Sequence, residues 1–100
     1  MSNYDYKQID SIFHSRIRLA ITSMLYHDGI ADFNSLKKNI GATDGNLTTH
    51  LKKMEDCGYL SVEKKFVGRK PLSIYQLTDK GKMAFEEYIK KLELLLNVKQ

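Results

Sequence analysis

Thr43-Asp44-Gly45-Asn46-Leu47-Thr48-Thr49-His50-Leu51-Lys52-Lys53-Met54-Glu55-Asp56-Cys57-Gly58-Tyr59-Leu60 is the stretch whose reading decides the fold. Leu47, Leu51 and Met54 recur three or four positions apart, the spacing that lines one face of a helix, here predicted over Asp44 to Cys57. Thr43 precedes it with a hydroxyl able to accept from the unpaired amides of the first turn, and Gly58 supplies the stop. The other side carries Gly45, Asn46, Thr48, Thr49, Lys52 and Lys53, small hydrogen-bonding residues and cations. Such a helix buries one stripe and offers its polar face to a groove.

Upstream, Gly41 ends a short helix entered at Asp32, with Phe33, Leu36 and Ile40 facing inward, and the small Ala42 lets the two helices approach closely. The result is a helix, a tight turn and another helix. Before them lies a longer periodic segment from about Ile9 to Tyr26, with Ser15 as a cap for a second section within it, followed by a very short strand at Ile30 and Ala31. Downstream, Tyr59 to Phe66 and Leu72 to Leu77 are rich in strand formers and are expected to pair. Val67, Gly68, Arg69, Lys70 and Pro71 would form the tip between them, with Pro71 at an edge. Phe66 and Tyr75 are expected to support this hairpin by packing. Thr78 caps a last helix to about Leu96, more apolar than one small domain readily covers.

One hundred residues with 42% hydrophobic composition make a single domain, placed at 9–96, of predominantly helical α+β class. The formal charge of +4 favours polyanionic partners without naming one. A lone cysteine, Cys57, excludes an intrachain disulfide and the usual cysteine-rich metal clusters. No metal site and no cofactor are expected, and His14 and His27 have no evident ligand partners. Met1 to Asp10 lacks a signal-peptide pattern and no apolar run approaches a membrane span, so a cytoplasmic location and no membrane partner are expected. No phosphate loop, metallohydrolase spacing or nucleophile and base motif is present, and the chain is read as not an enzyme.

The recognition stretch resembles that of the small winged helix-turn-helix transcriptional regulators related to the MarR and ArsR groups. Ser15-Arg16-Ile17-Arg18-Leu19-Ala20-Ile21 is similar to their first-helix pattern, and Asp32-Phe33-Asn34-Ser35-Leu36 to the entry of their second helix. Lys64-Lys65-Phe66-Val67-Gly68-Arg69-Lys70-Pro71 stands at the matching wing position, and Tyr75-Gln76-Leu77-Thr78-Asp79-Lys80-Gly81 at the strand-to-helix junction. The resemblance implies a winged helix with a two-stranded wing and a C-terminal association helix, dimeric recognition of double-stranded operator DNA, and the third helix in the major groove. It does not extend to metal sensing, because only Cys57 stands in the relevant region. Nor is there room for an added effector domain, although a groove between subunits leaves space for an unidentified small-molecule effector.

Within that frame Asn46, Thr48 and Thr49 are assigned to the major groove, where amide and hydroxyl groups meet base edges, a phosphate or a thymine methyl. Thr43, Gly45, His50, Lys52 and Lys53 are assigned to the DNA backbone or to support of the recognition helix; His50 resembles the histidine found before this leucine in many related helices. The wing cations Lys64, Lys65, Arg69 and Lys70 neutralise phosphate, and Arg69 suits a narrow minor groove. Phe85, Tyr88, Ile89, Leu92 and Leu96 are assigned to homodimerisation, so that charges at Phe85 and Leu92 together should separate the dimer and leave the reading domain folded. The function expected is a sequence-specific transcriptional regulator that represses; a protein-interaction adaptor or a nonspecific architectural DNA-binding protein is the alternative.

Overall fold

In the computed structural model, residues 10–96 are described. A 3₁₀ turn at Ser11–Phe13 leads into α1 (Arg16–Asp28), β1 (Ile30–Asp32), α2 (Phe33–Ile40), α3 (Asp44–Asp56), β2 (Leu60–Val67), β3 (Lys70–Leu77) and α4 (Asp79–Leu95). The helix starts follow from local chemistry. Ser15, Asp32, Thr43 and Thr78 each adopt extended backbone, and each side chain accepts the amide three residues on, at 3.2, 2.7, 3.2 and 3.0 Å. A cap of this kind contributes about 1 kcal/mol. Ser15 therefore divides the segment expected to be helical from Ile9: only the part after it is α-helix, and Ile9 itself lies outside the described residues.

The expected α+β architecture is the one observed, with one addition. β1 pairs with β3, so the ribbon is part of a three-stranded antiparallel sheet of order β1-β3-β2. The tip is tighter than expected. Val67 pairs with Lys70, leaving Gly68 and Arg69 as a two-residue loop in which Gly68 has φ 65°, a sign of φ that such hairpins favour. Pro71 is thus inside β3, opposite Phe66. In a two-residue hairpin the closing pair is hydrogen-bonded and the next is not, so its missing N–H faces away from β2. β1 reaches only Ile74 to Gln76, which leaves that side open.

The core gathers one stripe from every element: Ile21 and Leu25 of α1, Leu36 of α2, Leu47, Leu51 and Met54 of α3, Leu60, Leu77, and Phe85 and Tyr88 of α4. Phe13 lies at the centre of an aromatic cluster, 5.0 Å from Tyr88, 5.6 Å from Phe85 and 5.8 Å from Tyr59 between ring centroids. This corrects the assignment of Phe85 and Tyr88 to a dimer seam. Both rings are buried inside their own chain, so a charge at Phe85 would enter the core rather than an interface. Along α4 the apolar side chains that remain exposed are Met83, Ile89, Leu94 and Leu96, with Leu92 partly packed on the core.

Candidate nucleic-acid interface

α3 is held by its buried stripe, so its remaining side chains are displayed on a fixed helix. Gly45, Asn46, Thr48, Thr49, Lys52 and Lys53 are all exposed, and no acid interrupts the chain from Gly45 to Lys53. Asn46 gives its backbone N–H to Thr43 and keeps its side-chain amide available. The Thr49 hydroxyl donates to the Gly45 carbonyl at 2.8 Å. Its oxygen therefore meets an outside group as an acceptor, a sharper statement than the donor-or-acceptor role read from residue type.

Lys52 pairs with Asp56 at 2.9 Å, and Lys37 of α2 with Asp44 at 2.7 Å. Both pairs are well exposed and worth little to stability, so a phosphate can compete for Lys52. Lys53, Lys64, Lys65, Arg69 and Lys70 form no ion pair among the described residues. β2 and β3 carry Lys64, Lys65 and Lys70, and the loop between them Arg69, on an exposed ribbon that begins four residues after α3 ends. Recognition-helix and wing residues are thus brought to neighbouring surfaces by a short connection through Cys57, Gly58 and Tyr59. Cys57 ends α3, its Sγ donating to the Met54 carbonyl at 3.2 Å.

Phe66 departs from expectation. Expected to pack beneath the hairpin, it is 72% exposed and stands outside the aromatic cluster; Tyr75, on the same sheet, is the ring that packs on the core.

Arg18 is the residue that the sequence reading missed. It is buried, with Nε donating to the Ile12 carbonyl at 2.6 Å and Nη1 lying 2.9 Å from Nδ1 of His50. A guanidinium only donates, so Nδ1 accepts and the ring proton resides on Nε2. His50 is thereby tied to α1 from the border of the α3 polar face, with an N–H left to offer. The signal was the spacing of Arg18, Ile21 and Leu25 at i, i+3 and i+7, which puts the arginine on the buried face of α1.

Burial, then the neighbouring charges of Arg18 and Lys53, hold the His50 pKa below its ordinary value. A depressed folded-state value means that the unfolded chain takes up the proton first as pH falls. The contribution of His50 to stability is therefore complete above about pH 6.5 and is lost as pH drops through the folded-state value. Urea denaturation from pH 7.5 to 5 should show a steeper fall for the wild type than for His50→Gln, whose side-chain oxygen can accept from Arg18 without titrating. Parallel curves would remove this coupling.

Among the described residues no group of three or more His, Cys, Asp or Glu side chains is placed to hold a metal ion, and no helix is long and apolar enough to cross a membrane. A relative in Methanocaldococcus jannaschii, an uncharacterized protein, is 40% identical over 88 residues, 87% of this chain and 96% of its own. The transcriptional regulator homologue protein from Pyrococcus horikoshii OT3 has a similar structure, with a TM-score of 0.85 at 23% identity over 97% of this chain and 96% of that one. Overoxidized AbfR bound to DNA, from Staphylococcus epidermidis, gives a TM-score of 0.72 at 21% identity over 91% of this chain and 65% of that one. At these identities the two structures show a shared fold. Residues 17–96 match the family model of the winged helix DNA-binding domain, and the chain belongs to that family.

Proposed function

We propose that this protein is a sequence-specific regulator of transcription that binds double-stranded operator DNA as a homodimer and represses by occupying the site. What supports the reading is two exposed, acid-free runs on adjoining elements: Asn46, Thr48, Thr49, Lys52 and Lys53 on a rigid helix, and Lys64, Lys65, Arg69 and Lys70 on the ribbon that follows. In this assignment α3 enters the major groove, with Asn46, Thr48 and Thr49 at base edges. Thr43, Gly45, His50, Lys52 and Lys53 serve the backbone, and the polarity of the α3 N-terminus favours a phosphate there. The ribbon follows the flanking phosphates.

Two open grooves mark the surface of the subunit. One, of about 380 Å³, is lined by Ala20, Met24, Asp28, Asn39 and Ile40; the other, of about 230 Å³, by residues including Tyr59, Tyr88 and Lys91.

Selection of sites from random duplex DNA, with the stoichiometry of the complex measured, tests the reading. A symmetric motif held by two chains is the expected result; uniform binding would make the protein architectural, and failure to bind duplex would leave an adaptor for an acidic protein. Reversal of the wing charges, Arg69→Glu with Lys70→Glu, should weaken binding on the order of 100-fold near physiological salt and reduce the slope of log affinity against log salt by about two. An unchanged slope would take the wing out of the footprint.

A further inference from the structure

At the tip of the ribbon, Phe66 and Val67 are 72% and 63% exposed. Register and strand alternation put Phe66 on the ribbon face that carries Leu60 and Leu77 into the core at its root, with Pro71 directly across from it. Lys64 shares that face, Lys65 and Lys70 lie on the other, and Arg69 occupies the loop. The phenyl ring thus stands clear of its own core, across from a rigid proline, with Lys64 on its face and Lys65, Arg69 and Lys70 elsewhere on the same ribbon tip. An exposed large aromatic gains no packing in the free chain, and the cations near it favour a polyanionic partner.

We propose that Phe66 is an apolar wedge that enters the minor groove of bound duplex DNA and leans into one base step, while Lys64, Lys65, Arg69 and Lys70 neutralise the phosphates on either side. The inference rests on the DNA reading above and adds to it a residue and a readout. Apolar side chains inserted at base steps unstack them partly and kink the duplex, at a cost that depends on the step. TA and CA/TG steps yield readily and A-tracts resist. Phe66 therefore confers preference for a flexible step outside the bases read by α3, through deformability rather than hydrogen bonds. Duplex DNA is favoured over an anionic membrane because the ribbon adjoins the hydrogen-bonding face of α3, which a lipid surface would leave unused.

The test is duplex selection run in parallel with the wild type and Phe66→Ala, followed by titration on duplexes that differ only in the flanking step. Substitution of a side chain this exposed leaves the core intact, which thermal unfolding checks. The wild type should select a TA or CA/TG step at a fixed distance from the central motif and bend it, as reported by fluorescence transfer between the duplex ends. Phe66→Ala should select the same central motif without the step, bind about tenfold more weakly, and keep its salt slope because no phosphate contact is lost. Phe66→Leu should recover part of the step preference. Identical flanks and affinities for wild type and Phe66→Ala would overturn the wedge and leave the DNA reading standing. Absence of any duplex binding by the wild type would overturn both, as would Phe66-dependent partition onto phosphatidylserine vesicles without duplex binding.

Discussion

Gly81→Ala is expected to destabilise the fold by about 3 kcal/mol, while the same change at the other helical glycine, Gly45, stabilises it by about 0.5 kcal/mol. A Cβ built at Gly81 would stand 2.3 Å from the Tyr59 carbonyl oxygen and 3.0 Å from its carbon. Both obstacles are backbone, so no side chain can swing aside. The same oxygen accepts the Thr78 N–H at 3.0 Å, which ties the start of α4 to the chain just before β2. Relief of the clash must loosen that tie, and with it the root of the ribbon. Against a total stability of about 5–15 kcal/mol the loss is large, and in a domain of this size it lowers Tm by roughly 15 °C.

At Gly45 the added carbon meets nothing within 4 Å, and the backbone is ordinary helix. Neither conformation nor internal packing requires glycine there, and the proposed DNA reading gives it a use in close approach from outside. Gly45→Ala should therefore melt slightly higher than the wild type and bind operator about tenfold more weakly, each phosphate or base contact being worth on that order. Thermal unfolding and duplex titration measured together decide both halves. A Gly81→Ala protein as stable as wild type would mean that α4 does not approach Tyr59 this closely; a Gly45→Ala protein with full affinity would return Gly45 to a tolerated glycine.

What was legible in the sequence had local causes. The caps at Ser15, Asp32, Thr43 and Thr78 were readable because the accepting oxygen and the donating amide are three residues apart. The α3 stripe was readable because helical period is local too, and the polar face followed from it. Pairings across the chain were not. The spacing of Arg18 with Ile21 and Leu25 sets it apart from Arg16, but its partners, a carbonyl at Ile12 and a ring nitrogen at His50 32 positions away, are not written locally. The breadth of the α4 stripe showed that more apolar surface exists than one face needs, but not which rings Phe13 would claim. Phe66 was misread for a related reason. The ribbon outruns the core, so strand formers near its tip have nothing in the chain to pack on.

Replacing Ile89 and Leu96 together with glutamate should separate a homodimer while leaving each chain folded. The pair is chosen because burial divides α4. Phe85 and Tyr88 belong to the aromatic core and Leu92 leans on it, whereas Ile89 is 39% and Leu96 64% exposed. Seven residues apart on a helix, they share a face and flank the buried stripe, so that a partner docking there would extend the core across a two-fold axis. Charge introduced at that seam meets its own copy in the dimer, where desolvation and like-charge repulsion both oppose association. The free chain keeps both side chains in water and should unfold at nearly the wild-type temperature. Losing the linked second head converts paired binding into two independent events, so affinity for a symmetric operator should fall about 100-fold or more. Affinity for an isolated half-site should change by about threefold at most, the added negative charge acting only at long range through screened solvent. Sedimentation equilibrium, thermal unfolding and titration on both duplexes separate the outcomes. A folded dimer with unchanged paired-site affinity would move the seam elsewhere, with the other exposed apolar pair of α4, Met83 and Leu94, next in line. Phe85→Glu with Leu92→Glu should instead unfold the chain, because that charge has to enter the cluster around Phe13.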